Sequence, residues 1–227
     1  MKKMIIFGCL IIFIPFMVSA QEKIEAPFWN VGDKWVFDRE GPMEVTGRDP
    51  RHYAVQFSGG IFPKDVSGVA LFERSTLNIK YILEGDQRKA YNGFRKKILN
   101  FPLTLEKQWK DLIQRDELGG GRGLGSLTVL KTAFEYQETF RVLGWEEVEV
   151  RAGKFKAIKL EYKIEGAMRS GIGWIPQGEA KAWYWYAPEV KNFVKCQYEK
   201  GYNEVIDEKG KVEARIDWEL VSYELKK

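Results

Sequence analysis

The stretch Phe155-Lys-Ala-Ile-Lys-Leu-Glu-Tyr-Lys-Ile-Glu165 decides the fold class, because apolar and charged residues alternate along it. Every second side chain of a β-strand points to the same side, so this alternation gives one dry face and one wet face. The dry face is predicted to carry Ile158, Leu160, Tyr162 and Ile164. A helix would instead repeat its apolar positions every three or four residues. The stretch therefore predicts a long strand of an antiparallel sheet.

The same alternation recurs from Gly32 to the carboxyl end, interrupted at short intervals by Gly, Asn, Asp or Pro. Further predicted strand faces are Tyr53, Val55 and Phe57; Leu77, Ile79, Tyr81 and Leu83; and Val212, Ala214, Ile216, Trp218 and Leu220. After Leu220 the apolar positions shift by one residue to Val221 and Tyr223, which indicates a bulge or an end buried on the other side. We therefore expect an all-β, mainly antiparallel protein, built as a curved sheet, a half-open barrel or a sandwich.

Three segments depart from the alternation. Thr104–Arg115 allows a short helix, although its apolar residues fit a helical face no better than a loop feeding a strand, so at most one or two short helices are expected. Asp207–Gly210 predicts a hairpin turn. Gly119–Gly125 has neither the dinucleotide-binding nor the phosphate-loop spacing, which leaves a hairpin loop or a flexible lid over a binding cleft.

The amino-terminal twenty residues have the pattern of a secretory signal peptide. Lys2 and Lys3 precede an apolar run over 4–18, and small residues at Ser19 and Ala20 form a cleavage site. The sequence therefore predicts export to the periplasm or the extracellular space, with residues 1–20 removed.

The mature chain is expected to have no membrane span and one β-rich domain over 21–227. The apolar run is shorter than the roughly 20 residues that a spanning helix needs, and no second run follows it. Cys9 lies inside that run, which favours soluble export over a lipid anchor. No Pro-rich or Ser-rich linker divides the chain.

Composition excludes several function classes. Without Lys2 and Lys3 the formal net charge falls from +4 to +2, which gives no electrostatic reason to expect nucleic-acid binding. Cys196 and His52 are then the only cysteine and histidine, too few for a zinc site, a disulfide or a Ser-His-Asp device. We expect Cys196 in the core, His52 at the start of a strand, and no cofactor or metal.

Acidic residues offer the one alternative route to catalysis. Glu135 and Glu138, or Glu146, Glu147 and Glu149, would suit a glycosidase-like acid pair, but spacing along a strand does not set the separation of two carboxyls. Charged outer faces of strands account for these residues equally well. We therefore predict no catalytic residue and no enzymatic activity.

An aromatic block at 183–186 is the most distinctive functional feature. Alternation places Trp183 and Trp185 on one face of a strand and Tyr184 and Tyr186 on the other. Either one pair fills the core while the other lies under a loop, or one pair lines a concave apolar groove for a lipid tail, a sugar ring or a peptide.

Four separated phrases resemble the TapB-like group of exported bacterial proteins of unknown function. They are Phe28-Trp-Asn-Val-Gly-Asp-Lys-Trp-Val-Phe37; Phe101-Pro-Leu103 leading to Trp109; Val148-Glu-Val-Arg-Ala-Gly-Lys-Phe-Lys-Ala157; and Trp185-Tyr-Ala-Pro-Glu-Val190 followed by Val194-Lys195. The chain departs from the group at Arg151, where proline is usual, and at Lys191-Asn192, where glycine is common. The resemblance implies a strongly curved antiparallel sheet or half-open barrel, loosely similar to periplasmic lipoprotein carriers, and no agreed enzymatic activity.

Two of these phrases have a direct physical reading. Val150-Arg-Ala-Gly153 predicts a strand that ends in a tight turn, with Gly153 at a positive φ. Pro188 cannot donate to a sheet ladder and is expected to end the strand that carries the aromatic block.

Together these features predict an exported, non-enzymatic protein that binds an apolar or amphipathic, lipid-like ligand on a concave aromatic sheet face. The candidate lining residues are Trp183, Tyr184, Trp185, Tyr186 and Phe134. The alternative is an interaction or assembly protein of the cell envelope, which grips a protein partner with a sheet edge or an aromatic patch. The sequence does not indicate the ligand's identity or the oligomeric state.

Overall fold

In a computed structural model of the chain, the alternating stretch Phe155–Glu165 lies within one long strand. The structure describes residues 23–39, 41–57, 68–85, 87–93, 95–119, 130–170, 173–199, 204–206, 212–214 and 217–227. The predicted signal peptide, most of the glycine-rich segment and the Asp207–Gly210 turn lie outside these ranges. The described ranges contain no helix, and so none that could cross a membrane.

The described residues form fourteen strands. In chain order these are β1 (Lys34–Phe37), β2 (Gly41–Arg48), β3 (His52–Phe57), β4 (Gly68–Glu73), β5 (Ile79–Glu84), β6 (Gln87–Ala90), β7 (Gln108–Gly119), β8 (Leu130–Val150), β9 (Gly153–Ser170), β10 (Gly173–Ala187), β11 (Asn192–Tyr198), β12 (Glu204–Ile206), β13 (Val212–Ala214) and β14 (Trp218–Glu224).

Twelve of these strands form one open antiparallel sheet. Its order is β6-β5-β4-β3-β2-β1-β14-β11-β10-β9-β8-β7, and β12 and β13 pair separately. Two runs of sequential hairpins, β1 to β6 and β7 to β11, are joined by β14, which pairs with β1 on one side and β11 on the other. The all-β, antiparallel fold class predicted from the sequence is confirmed.

The alternation read from the sequence corresponds to the observed burial. In β9 the side chains of Ile158, Leu160, Tyr162 and Ile164 are all buried, whereas the lysines and glutamates between them reach solvent. Tyr53, Val55 and Phe57 are likewise buried in β3, which His52 begins. Cys196 is fully buried in β11, and β10 ends at Ala187, directly before Pro188, both as predicted.

The predicted irregularity after Leu220 is a β-bulge. Phe37 of β1 pairs with Leu220, and the preceding Val36 pairs with Ser222, so Val221 has no partner in this ladder. The extra residue brings Tyr223 onto the same face as Leu220, since Tyr223 pairs with Trp35 and Leu220 with Phe37, and the ring of Tyr223 meets Phe155 edge-on, with centroids 6.0 Å apart.

Of the two interpretations of Thr104–Arg115, the structure shows a loop that feeds a strand and no helix. Lys107 N donates to Thr104 O at 3.1 Å in a turn, and β7 then pairs with β8 from Gln108 onward. Trp109, Asp111 and Ile113 are all buried, which is strand periodicity. A charged residue at the middle inward position concealed that periodicity in the sequence.

The two halves of the sheet curve around one crossing segment, 95–103. On one side, the side-chain nitrogen of Asn78 turns toward the segment and donates to Leu99 O at 2.8 Å. On the other side Arg95 N donates to Glu138 Oε1 of β8 at 2.9 Å. Leu103 N donates to Ile24 O at 2.8 Å, which ties the chain before β1 to the same segment.

Indole hydrogen bonds close the seam between the halves. Trp35 Nε1 donates to Val190 O at 2.8 Å, and Trp29 Nε1 donates to Lys191 O at 3.0 Å. One continuous apolar core therefore spans both halves. Its largest fully buried side chains include Trp29, Trp35, Trp218, Tyr53, Tyr162, Tyr184, Tyr186 and Phe140.

Candidate functional site

The aromatic block of β10 divides between two faces of the sheet, as alternation predicts. Tyr184 and Tyr186 have no exposed surface and fill the core. The ring of Tyr184 packs against Phe193 and Tyr162, with centroids 5.4 and 6.2 Å apart. The sheet face that holds Tyr136, Tyr162, Tyr184 and Tyr198 is called here the tyrosine face.

The opposite face of β10 combines tryptophan with lysine. Lys159 Nζ and Lys195 Nζ lie 4.9 and 5.2 Å from the ring centre of Trp185, and Lys181 Nζ lies 5.4 Å from that of Trp183. Cations at this distance are attracted to the negative face of an indole. We call this surface the tryptophan face; its rings are covered by charged side chains.

Glu146 completes the tryptophan face. Its carboxylate accepts from Trp185 Nε1 at 2.8 Å and from Lys159 Nζ at 3.1 Å. Burial acts to raise the pKa of Glu146, but these hydrogen bonds and nearby lysine charges outweigh it and hold the pKa below its ordinary value. Glu146 is therefore a charged partner of the indole and the lysine.

Phe134 lies on the tyrosine face of β8, toward the far end of the long hairpins. Its ring stacks on Tyr136, with centroids 6.3 Å apart and planes at 11°. Both rings are half-buried, and Tyr136 packs against the continuous core. This pair is called the aromatic platform. Of the candidate lining residues, the structure brings Phe134 and the two tyrosines to one face and leaves the two tryptophans on the other.

A buried carboxylate follows the platform on the same strand face. Glu138 is fully buried and accepts from Tyr162 Oη at 2.8 Å and from Arg95 N at 2.9 and 3.1 Å. Burial raises the pKa of Glu138, and these hydrogen bonds offset that effect only in part. Both oxygens of the carboxylate are occupied by donors within the protein.

Arg95 projects onto the tyrosine face from the crossing segment. Its Nη1 donates to Tyr198 Oη at 3.2 Å and to Tyr184 Oη at 3.3 Å. Burial lowers the pKa of Arg95, but the surrounding tyrosines, Tyr198 first, raise it by more, so the guanidinium stays charged. Its own φ is +60°, an uncommon conformation for a residue with a Cβ.

Sequence reasoning missed Arg95 as a site residue, because the crossing segment has no alternation that assigns its side chains to a face. Asp111 was missed for a related reason. It pairs with Glu138 across β7 and β8, and it is held by Lys97 Nζ at 2.7 Å and Lys96 Nζ at 3.5 Å. A buried aspartate in a strand gives no signal of its own in one sequence.

The acids considered for catalysis do not form an open pair. Glu138 and Asp111 face each other, but each is already held by the hydrogen bonds or ion pairs given above. Glu135 lies on the other face, where its Oε2 accepts from Gln114 Nε2 at 3.2 Å. Glu147 and Glu149 are exposed. Within the described ranges, no group of three or more His, Cys, Asp or Glu side chains could hold a metal ion.

A separate cleft of about 440 Å³ lies at the start of β3 and is lined by Arg51, His52, Arg74 and Lys80 among others. Most of its lining residues are charged or polar, and His52 Nδ1 lies 3.2 Å from Asp49 Oδ2. Tyr81 also lines this cleft, but the cleft lacks the cluster of aromatic rings that the sequence led us to expect of a lipid-like site.

Fold and site together define an open, curved antiparallel sheet with an aromatic platform beside a buried polar cluster. No family model and no curated protein matches this chain. A candidate exported protein with a YmcC-like fold from Bacteroides fragilis is 13% identical, with 89% of this chain and 99% of that chain covered and a TM-score of 0.34.

A candidate lipoprotein from Parabacteroides distasonis is 12% identical, with 90% of this chain and 100% of that chain covered and a TM-score of 0.35. Similarities of this size do not indicate the function of this chain. Neither protein bears the TapB name, so the resemblance to that group stays a sequence-based prediction.

Proposed function

We propose that this chain is an exported, non-enzymatic binding protein that takes an apolar or amphipathic, lipid-like molecule on the tyrosine face. The observation that carries the proposal is the aromatic platform, whose two stacked rings are half-buried although one of them, Tyr136, packs against the core. Covering apolar surface stabilises a complex by roughly 25 cal/mol per Å², and each aromatic ring offers a large area for this. A lipid tail laid over Phe134 and Tyr136 would extend the core by one further layer.

Two further features support the proposal. The pattern over residues 1–20 is that of a secretory signal peptide, which favours a periplasmic or extracellular location. The buried carboxylate of Glu138 accepts hydrogen bonds from Tyr162 Oη and Arg95 N on both of its oxygens, an arrangement typical of a structural acid.

Native mass spectrometry of the protein exported by a bacterial host tests the proposal. We expect a fraction of the protein to carry extra mass, and solvent extraction should release a lipid-like molecule that accounts for it. The double variant Phe134→Ala, Tyr136→Ala should lose this mass. Trp183→Ala, on the opposite face, is the matched control and should keep it. A bare mass for the unaltered protein, together with no binding of added fatty acid, would overturn the proposal.

A second candidate function is an interaction or assembly role in the cell envelope, in which the tryptophan face grips a protein partner. Trp183 is half-buried between Lys159 and Lys181, and aromatic rings beside cations are common at protein interfaces. This candidate predicts that a pull-down from envelope extracts recovers a partner with the unaltered protein and with Phe134→Ala, but not with Trp183→Ala. Recovery unaffected by Trp183→Ala would exclude this surface.

A further inference from the structure

The Arg95 guanidinium is a cation on the tyrosine face, and among the described residues it attracts the Glu138 carboxylate only from beyond ion-pair distance. No carboxylate of the described residues forms an ion pair with it, and its hydrogen bonds there all leave from Nη1 to two neutral hydroxyls. Nε and Nη2 therefore keep donors that nothing in the described part of the chain uses. A charge that is largely removed from water costs free energy unless an opposite charge or further acceptors compensate it.

The neighbouring Glu138 carboxylate attracts the Arg95 charge but makes no hydrogen bond to the guanidinium. Glu138 is bound through the backbone N–H of Arg95 and through Tyr162 Oη, and these donors occupy both of its oxygens. The guanidinium itself points to the hydroxyls of Tyr184 and Tyr198. Each of these hydroxyls accepts from Arg95, and together they fix the plane of the guanidinium.

The Arg95 cation and the aromatic platform are arranged so that they could bind the two ends of an amphiphile, the polar head and the apolar tail. Glu138, which touches the backbone of Arg95, follows Tyr136 by two residues on the same face of β8. Two strand residues span roughly 7 Å, so the platform runs from about 7 to about 14 Å along β8 from Glu138. The tyrosines that hold the guanidinium are level with Phe140 and Val142, on the other side of Glu138 from the platform. A cation at one end and stacked rings at the other would match a polar head group and the later carbons of a tail.

We propose that Arg95 binds the anionic head group, a carboxylate or a phosphate, of an amphipathic ligand whose tail lies on Phe134 and Tyr136. This inference rests on the proposed function and specifies its ligand class. The planar fork of a guanidinium matches the oxygens of either group through two parallel hydrogen bonds. The Nη1 atom stays with the tyrosines, and Nε and Nη2 face the ligand.

Binding of four probes to the purified protein tests the inference: dodecanoate, dodecyl phosphate, dodecanol and inorganic phosphate. We expect either anionic amphiphile to bind at least ten-fold more tightly than dodecanol, a difference of about 1.4 kcal/mol. Arg95→Gln should reduce that preference to less than three-fold without weakening dodecanol binding, and Arg95→Lys should retain part of it. The control is Arg141→Gln, which removes a cation from β8, the strand of the aromatic platform, but on the opposite face. This variant should behave like the unaltered protein.

The outcomes separate this inference from the proposed function. Equal binding of dodecanoate, dodecyl phosphate and dodecanol by the unaltered protein would overturn the role of Arg95 and leave a lipid-like ligand in place. Because that comparison uses the unaltered protein, it holds even if Arg95→Gln fails to fold. Binding of inorganic phosphate as tightly as dodecyl phosphate would also overturn the inference, since the site would then take a small anion. Failure of all three amphiphiles to bind would overturn the proposed function itself.

Discussion

Glu138 shows how strongly one residue can depend on its surroundings. Its carboxylate is fully buried beside aromatic rings, and the hydrogen bonds from Arg95 N and Tyr162 Oη only partly compensate the lost contact with water. The result is a pKa above the ordinary 4.5, with burial as the main cause. The folded protein therefore holds this proton more tightly than the unfolded chain does.

The pH dependence of stability should reveal this raised pKa. As pH rises from 4.5 through the raised pKa of Glu138, the folded state gives up a proton that the unfolded chain has already lost, so the free energy of unfolding falls. Glu138→Gln cannot lose that proton. Urea unfolding across this pH range should show the unaltered protein losing stability relative to Glu138→Gln, and the difference should level off above the raised pKa.

Glu135→Gln provides the matched control, because Glu135 lies three residues away on the opposite face of β8 and is partly exposed. Its stability profile should run parallel to that of the unaltered protein through this pH range. A constant difference between the unaltered protein and Glu138→Gln at every pH would contradict the prediction.

The aromatic block shows what alternation predicts for single residues and what it leaves open. Period two predicted that Trp183 and Trp185 would share one face and Tyr184 and Tyr186 the other, which is confirmed. It left open which pair shares a face with the other core tyrosines, because tyrosine and tryptophan are both large and amphipathic, and Trp185 is itself buried under lysine side chains. That choice depends on Phe193 and Tyr162, which come from neighbouring strands and pack against Tyr184.

Among the structural elements, the hairpin between β8 and β9 depends on one glycine. Val150 pairs with Gly153 across a two-residue turn, and Gly153 has a φ of +139°. A side chain there would be strained whatever space surrounds it, because its Cβ would crowd the neighbouring backbone. The positive φ predicted from the sequence is confirmed.

Gly153→Ala should lower the free energy of unfolding by roughly 1–2 kcal/mol, because alanine rarely adopts this φ. Chemical denaturation monitored by tryptophan fluorescence measures the change. Gly47→Ala in β2 is the matched control: its φ lies outside the glycine region, and its new Cβ would meet only Ala54 Cβ at an ordinary 3.6 Å. We expect a change within about 0.5 kcal/mol there. Equal effects of the two substitutions would contradict a conformational origin.

Strand β7, for which the sequence left a short helix open, shows where periodicity becomes ambiguous. Asp111 occupies an inward position between Trp109 and Ile113, so the apolar residues of this strand are four apart and imitate a helical face. The aspartate is tolerated there because Lys97 and Lys96 reach it from the crossing segment. A sequence pattern cannot anticipate a charge that is neutralised by a distant part of the chain.

At the scale of the whole molecule, Asp33 joins parts of the chain that are far apart in sequence. Its fully buried carboxylate accepts from Lys226 N at 2.7 Å, from Asn30 N at 2.9 Å and from Lys191 Nζ at 3.3 Å. These contacts link the approach to β1, the turn after β10 and the carboxyl-terminal tail. The two halves of the sheet therefore share anchors as well as a core.

We expect a single unfolding transition for the whole protein, because one apolar core spans both halves of the sheet. Thermal unfolding followed by far-ultraviolet circular dichroism and by tryptophan fluorescence should give coincident curves. Asp33→Ala should shift both curves together and cost about 1 to 3 kcal/mol, since it leaves three partly buried donors without their acceptor. Two separate transitions, or a shift in only one probe, would show that the halves fold independently.

The sequence by itself determined the buried faces of strands such as β3 and β9, an irregularity after Leu220 and the turn at Gly153, because period two and backbone conformational limits act over a few neighbouring residues. Only the tertiary structure decided where the crossing segment lies, and hence that Arg95 meets Tyr184, Tyr198 and Glu138. These partners lie tens of residues apart, and no local pattern encodes a contact that arises when the two halves of a sheet curve around one segment.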